Sequence, residues 1–278
     1  MLKSINSFIA LFIDTFKLFG RLKAWLLLLC ILFVNWLLLY SHYQFTEPLF
    51  YSTVTWWTEL WDVQYAGGFT HYPGHFILLA YYYSSAKLFI GFLLEGGLLG
   101  AVAVVFYKHI YANTDKINTS IKEKIMHWFH LSLAWGFLNG VLFAGYTFFP
   151  QILESFLDGS PRRQLLFEYG AIPLFNIIIV ALFFFAIPYI AIYRTNVISG
   201  LKNSLLMFFK RPIYILFLSG VILSVPILIS FILADSVELV SKFKPVMIYV
   251  LLLISIVVDL LVNFFWIGTA VNYLSEDD

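Results

Sequence analysis

Apolar residues gather in six long blocks separated by polar stretches: about Ala24 to His42, Ile77 to Tyr107, Trp128 to Phe149, Ala171 to Tyr193, Ile213 to Leu233 and Val246 to Tyr273. A helix needs about 20 mainly apolar residues to cross ~30 Å of hydrocarbon, so each block predicts one crossing. The second block is long enough to tilt or to extend past the bilayer.

Ahead of each odd-numbered block, apolar residues recur at helical spacing on a segment with a polar face, the pattern of a helix lying in the membrane surface. In the first segment Ile5, Phe8, Phe12, Phe16 and Phe19 form one stripe, with Ser4, Asn6, Asp14, Lys17 and Arg21 largely off it. The second places Ile117, Ile121, Ile125, Trp128 and Phe129 together, with Asn118, Lys122 and Glu123 elsewhere. The third places Ile198, Leu201, Leu205 and Phe208 together and ends at Lys210, Arg211 and Pro212.

The repeating unit is then surface helix, span out, outer loop, span back, three times over: about residues 4–107, 115–193 and 195–273. Starts near Ile5, Ile117 and Val197 are 112 and 80 residues apart, and the excess of 32 nearly equals the long first outer loop, Tyr43 to Phe76. No linker separates the units, so residues 1–278 are read as a single membrane domain. The predicted fold is an all-α polytopic membrane protein, its six transmembrane helices arranged as three hairpins, each preceded by a cytoplasmic amphipathic interfacial helix.

Composition excludes a water-soluble domain. Of 278 residues 61% are hydrophobic and 12% charged, against roughly 25% charged in soluble domains, and mean hydropathy is +0.87. A formal net charge of +1 gives no reason to expect nucleic acid. Cys30 is the sole cysteine, which rules out an intrachain disulfide and a cysteine metal site. The first apolar segment is amphipathic and no small-residue cleavage site follows it, so no signal peptide is expected to be removed.

Lysine and arginine stay on the cytoplasmic side in short loops. Lys3, Lys17, Arg21, Lys23, Lys108, Lys116, Lys122, Lys124, Arg194, Lys202, Lys210 and Arg211 fall on one side, twelve of the 17. Arg162, Arg163, Lys242 and Lys244 fall on the other, with Lys87 near that interface. Both termini are therefore expected in the cytoplasm, with Glu276, Asp277 and Asp278 just inside.

Ionisable groups at bilayer depth are the first candidates for chemistry, since each costs about 2.5–3.5 kcal/mol on insertion scales unless it faces protein or water. Glu95 and Asp259 are both read at the midplane, with no Arg or Lys at that level. Each is then protonated or hydrogen-bonded to neighbours such as Asn263 or Thr269, and Lys87 is expected to snorkel outward. Two readings follow: a proton or cation site between spans two and six, or polar groups that hold the bundle together, which is preferred. Gly96, Gly97 and Gly100 beside Glu95, and Gly268 with Ala270 beyond Asp259, permit close helix approach, and Asn35, Asn139 and Asn176 are read as interhelical glue.

In the first outer loop Glu47, Glu59, Asp62, His71 and His75 form an acidic, imidazole-bearing set, but Pro73 and Gly74 keep the two histidines off one helix face, so no metal is assigned. His127 and His130 are read as interfacial histidines. Phe50, Val54, Trp57 and Trp61 follow Pro48 at helical spacing and predict a short outer amphipathic helix. Its aromatics, with Tyr81, Tyr82 and Tyr83, form an interfacial belt or a surface for a lipid or partner. Arg162 and Arg163 either hold a lipid phosphate or an acidic partner by paired hydrogen bonds or form a solvated turn.

The stretch Ala186 to Tyr193 (AIPYIAIY), followed by the surface helix Gly200 to Pro212 (GLKNSLLMFFKRP) and another span, carries a resemblance. It is similar to the repeating unit of the membrane domain attached to some bacterial glycerophosphodiester phosphodiesterases, and of related stand-alone six-span proteins. The resemblance covers the chain in pattern and is specific over about Phe184 to Val221. It implies six helices with juxtamembrane amphipathic helices in a bacterial inner membrane. Its fused members hold their catalytic barrel in a separate soluble domain, for which a chain ending at Asp278 leaves no room, so phosphodiesterase activity is not expected.

Phosphate-loop, Gly-flanked serine and H-E-x-x-H signatures are absent. The expectation is a non-enzymatic, cofactor-free component that handles lipids, envelope assembly or transport together with membrane lipids and other membrane or envelope proteins. The alternative is the membrane permease subunit of an ATP-driven or proton-coupled transporter. Third comes an intramembrane enzyme acting on lipid headgroups through His71 and His75.

Overall fold

The computed structural model describes residues 2–111, 121–153, 160–234 and 236–277, and no strand occurs among them. Helix α1 (Leu2–Lys17) passes through a 3-10 turn (Leu18–Gly20) into α2 (Leu22–Tyr43); α3 (Pro48–Trp61) and α4 (Val63–Phe69) lead into α5 (Gly74–Ile110). Helix α6 (Ile121–Ile152) follows, then α7 (Pro161–Leu166), which a π turn (Phe167–Ala171) joins to α8 (Ile172–Leu182). The chain ends with α9 (Ala186–Tyr193), α10 (Val197–Lys210), α11 (Pro212–Ala234), α12 (Ser236–Lys242) and α13 (Val246–Asp277).

Among the described residues five stretches are long and apolar enough to cross a membrane: Leu22–Tyr43, Gly74–Ile110, Arg162–Tyr193, Pro212–Leu233 and Val246–Ser275. The chain therefore has the character of a multi-pass, all-α membrane protein. The remaining apolar block, Trp128 to Phe149, lies on the 32-residue α6, which is not one of the five. Nor is the second surface segment a separate helix. Ile125, Trp128 and Phe129 stand on the first turns of continuous α6, while Ile117, Asn118 and Lys116 lie outside the described residues.

Two compact units are formed, one by Met1–Leu28, Gly91–Ser224 and Val262–Asp278, the other by Leu29–Ile90 and Val225–Leu261. The first unit is organised by three seats in which an amphipathic segment packs on another helical stretch. Leu11, Thr15 and Leu18 are buried, while Ile9, Ile13, Phe16 and Phe19 stay exposed. The stripe expected on the first segment is partly covered, Phe8 by Phe217 at 4.9 Å and Phe12 by Phe265 at 6.0 Å, and the most buried side is the neighbouring one of Leu11, Thr15 and Leu18. Thr15 lies over Gly268 of α13, where an added Cβ would come within 2.6 Å of the Thr15 methyl, and Asn272 Nδ2 donates to Thr15 Oγ1 at 3.2 Å.

The second seat joins the start of α6 to α5. A Cβ on Gly96 would lie 2.6 Å from the Leu131 carbonyl oxygen, and one on Gly97 would sit inside the Trp128 ring. The bare Gly97 also leaves the Leu93 carbonyl, one turn back, open to Trp128, whose Nε1–H donates to it at 2.9 Å. Small residues let helix backbones approach and polar side chains then bond across, as is usual between helices in membranes.

The third seat repairs a break. Pro188 has no N–H to give the Phe184 carbonyl four residues back, and α8 ends at Leu182 before α9 starts at Ala186. Trp266 Nε1–H takes the freed Phe184 carbonyl at 2.9 Å. The Ser204 hydroxyl on α10 donates to the Leu182 carbonyl at 2.9 Å and accepts the Phe185 N–H at 3.1 Å. Gly200 and Phe208, one turn to either side of Ser204, are buried with it. At Gly200 a Cβ would strike Ile190. Arg194, in the left-handed region at φ 52°, turns the chain out of α9, and the Asn196 side chain caps α10 by accepting the Ser199 N–H at 2.8 Å.

The second unit is built round Leu39, Phe45, Val54, Phe69, Leu79, Tyr82, Tyr83, Ile248, Leu252 and Ile256. Tyr82 is 0% and Tyr83 2% exposed, so only Tyr81 of the three expected belt tyrosines stands outward.

Gly97→Leu should force the Trp128 ring from its seat, an overpacking cost of about 1–3 kcal/mol or more. Gly140→Ala, where nothing lies within 4 Å of the new Cβ, should be neutral or stabilising by up to ~1 kcal/mol through helix propensity. Thermal stability of the two variants in the same mild detergent checks the contrast.

Candidate functional site

In the second unit the charge-bearing positions of α5 and α13 meet. Leu79 and Tyr83 on α5 share a core with Leu252 and Ile256 on α13, and one further turn along each helix stand Lys87 and Asp259. Each is the thirteenth residue after its helix start, Gly74 or Val246. Lys87 Nζ donates to Asp259 Oδ2 at 2.5 Å, with the side chains 25% and 31% exposed.

This corrects the expectation that Lys87 snorkels away and that Asp259 has no cation at its level. Depth reckoned separately from the ends of each block put the two residues at different levels. Registration by the shared core brings the lysine to the carboxylate. Thr269, expected as a partner of Asp259, instead hydrogen-bonds the Phe265 and Trp266 carbonyls of its own helix.

Glu95 falls in the first unit, is 7% exposed, and adjoins the Gly96 and Gly97 contact with α6. The structure therefore brings Asp259 to Lys87 and Glu95 to a packed helix seam. Asn139 was expected to bridge helices, but its amide donates to the Trp135 carbonyl of α6 itself at 3.0 Å. Asn35 is buried at 4% exposure.

The helix expected after Pro48 is present as α3, with the proline in its first turn and Val54 and Thr58 buried. Trp57 and Trp61, the candidates for lipid or partner contact, are half-buried against protein. Their rings stack at 5.8 Å, Trp57 lies 5.6 Å from Phe89, and its Nε1–H donates to Ser85 Oγ at 3.0 Å. Ser85 and Phe89 sit on α5, and that polar partner draws the indole in. Leu49, Trp56, Leu60 and Val63 are exposed instead.

Asp62, read as part of an acidic set, is a local tie. Its carboxylate caps α4 by accepting the Gln64 N–H at 3.1 Å and accepts the Tyr81 hydroxyl at 3.1 Å, while its carbonyl accepts the Tyr82 hydroxyl at 3.0 Å. His75 is buried and faces the Tyr43 carbonyl at 3.2 Å, packed on Phe45 and Phe69. His71 bonds through its backbone, its N–H donating to the Gly68 carbonyl at 3.3 Å and its carbonyl accepting the His75 N–H at 2.9 Å. Among the described residues no three of His, Cys, Asp and Glu gather as a metal set would.

Arg162 and Arg163 are exposed on α7, just past Ser160 at its start. At the start of α6, burial and the nearby Arg194 and His130 hold the His127 imidazole below its ordinary range. Ser204 and Trp266 were missed from the sequence. The signal was Pro188, which marks a carbonyl that needs a donor from elsewhere.

Removing one partner of a sheltered ion pair strands the other charge, so Asp259→Ala should destabilise by ~1–3 kcal/mol, below the full buried-pair range because both groups keep some exposure. The Lys87→Met, Asp259→Leu double variant should recover most of the loss, as a double-mutant cycle of melting temperatures in detergent will read. Comparison with family models, curated proteins and solved structures finds no match to this chain.

Proposed function

We propose that this chain is a non-enzymatic scaffold of the bacterial cytoplasmic membrane. It crosses six times as three wedge-and-hairpin units, with both termini in the cytoplasm, and works with partner proteins and membrane lipids in lipid handling, envelope assembly or transport. The observation that carries the reading is the recurrence of one seat. Thr15 on Gly268, Trp128 on Gly97 and Gly200 on Ile190 each join an amphipathic segment to the helix that would return from the preceding hairpin, with α13 preceding α1 cyclically. Each seat is stitched by at least one side-chain hydrogen bond, and the ion pair of Lys87 with Asp259 supports a structural use of intramembrane charge.

The second reading, a permease subunit, is favoured by the burial of Glu95 at a spanning helix. The functional test is purification of the tagged full chain from its native membrane in mild detergent. The scaffold reading expects a stoichiometric membrane or envelope partner; a soluble ATPase as the main companion favours the permease, and a stable solitary monomer overturns both partner-dependent readings.

The sixth crossing is tested by impermeant thiol labelling of a Cys30→Ala background. Lys124→Cys should react only from the cytoplasmic side and Leu165→Cys only from the outside. Labelling of both from one side would remove α6 from the spans.

A further inference from the structure

A groove of about 540 Å³ runs between α5 and the first turns of α6, within the roughly 300–1,000 Å³ range of ligand sites. Phe92, Leu93, Trp128 and Phe129 form its apolar wall, Lys124 stands at one end and Ser132 at the other. Lys124, Trp128 and Ser132 are one turn apart on a single face of α6, so the groove extends over ~12 Å of helix.

The wall is fixed in place. Trp128 is held by its hydrogen bond to the Leu93 carbonyl and by the bare Gly97 beneath its ring. Phe129 and Leu93 are 50% and 46% exposed, an apolar surface open along its length. Lys124 is exposed, while Ser132 is 4% exposed and its hydroxyl has no hydrogen-bond partner. A cation at one end, hydrocarbon between and one sheltered hydroxyl further in is the complement of an amphiphile with an anionic head.

We propose that this groove seats one anionic phospholipid, its phosphate at Lys124, an ester oxygen within reach of the Ser132 hydroxyl and an acyl chain along Trp128 and Phe129. This deepens the lipid part of the proposed function and rests on that reading only in assigning the lipid to the inner leaflet. An ammonium binds phosphate as a point charge without demanding fixed geometry, and indole rings are favoured at headgroup level. The groove would then be a lipid seat next to the α5–α6 seam that buries Glu95, so the occupant would brace that seam.

Native mass spectrometry of the full chain, released from detergent with added phosphatidylglycerol or phosphatidylethanolamine, tests this. One phosphatidylglycerol should be retained with at least fivefold preference over phosphatidylethanolamine. Lys124→Glu should abolish the preference and Lys124→Arg should keep it. Ile125→Trp, at a 65% exposed lining position where the chain can accept bulk, should lower retention of the single bound lipid about tenfold while the protein elutes as before. Equal adducts of both lipids on all four proteins would mean annular lipid only and would overturn the proposal. Since this readout is blind to topology and partners, its failure leaves the thiol-labelling and purification outcomes to judge the scaffold separately.

Discussion

Every backbone N–H and C=O within hydrocarbon must find a partner in the protein, because an unmet group there costs several kcal/mol. That constraint bears hardest at Pro188. Its ring removes one donor and the turn between α8 and α9 frees further groups at Leu182 and Phe185. Two side chains from distant parts of the sequence, Ser204 and Trp266, meet those groups. The break is therefore what ties α10 and α13 to the fourth apolar block. An unbroken helix would have offered neither of them a backbone partner.

Close approach is the second half of the same device. A serine hydroxyl or a threonine is short and reaches another helix only where backbones nearly touch. Gly200 beside Ser204 and Gly268 beside Thr15 supply that proximity. At the remaining seat the order is reversed: the reach comes from the long indole of Trp128, and glycine clears the ground for it. Glycine, short hydroxyl and indole thus serve one end by different means, which explains why the segments share hydrophobic pattern while sharing few identical residues. The exposed faces of α1 and α10, with Ile13, Phe16, Ile198 and Phe209, remain apolar, as suits helices with protein on one side and lipid on the other.

Much of the fold was legible because length and hydropathy are one-dimensional. The five candidate spans, the helix opened by Pro48 and the amphipathic helix beginning near Val197 follow from run length, proline chemistry and helical spacing. Gly96, Gly97 and Gly268 read correctly as contact points. Sidedness within helices was legible only in part: the stripes drawn on α1 and α10 are partly covered, Phe8 and Phe12 by aromatic rings and Phe208 by burial, while the most buried positions include Thr15, Gly200 and Ser204, which hydrophobic periodicity cannot score. Pairings were harder still. Lys87 and Asp259 are 172 residues apart, and their meeting depends on the register of α5 against α13, set by packing of Tyr83 and its neighbours rather than by distance from a block end. Trp57 and Trp61 are half-buried, and the bond of Trp57 to the Ser85 hydroxyl of α5 was not legible from their spacing.

Proximity of each amphipathic segment to its seat is the claim on which this account stands, and disulfide cross-linking in native membranes measures it most directly. In a Cys30→Ala background the cysteine pairs at Thr15 with Asn272, Gly97 with Trp128 and Ser204 with Leu182 should each close rapidly on oxidation. Pairs exchanged between seats, such as Thr15 with Leu182, should stay reduced. Closure of exchanged pairs as fast as matched ones, or failure of all three matched pairs in folded protein, would contradict the seating on which the threefold scaffold depends.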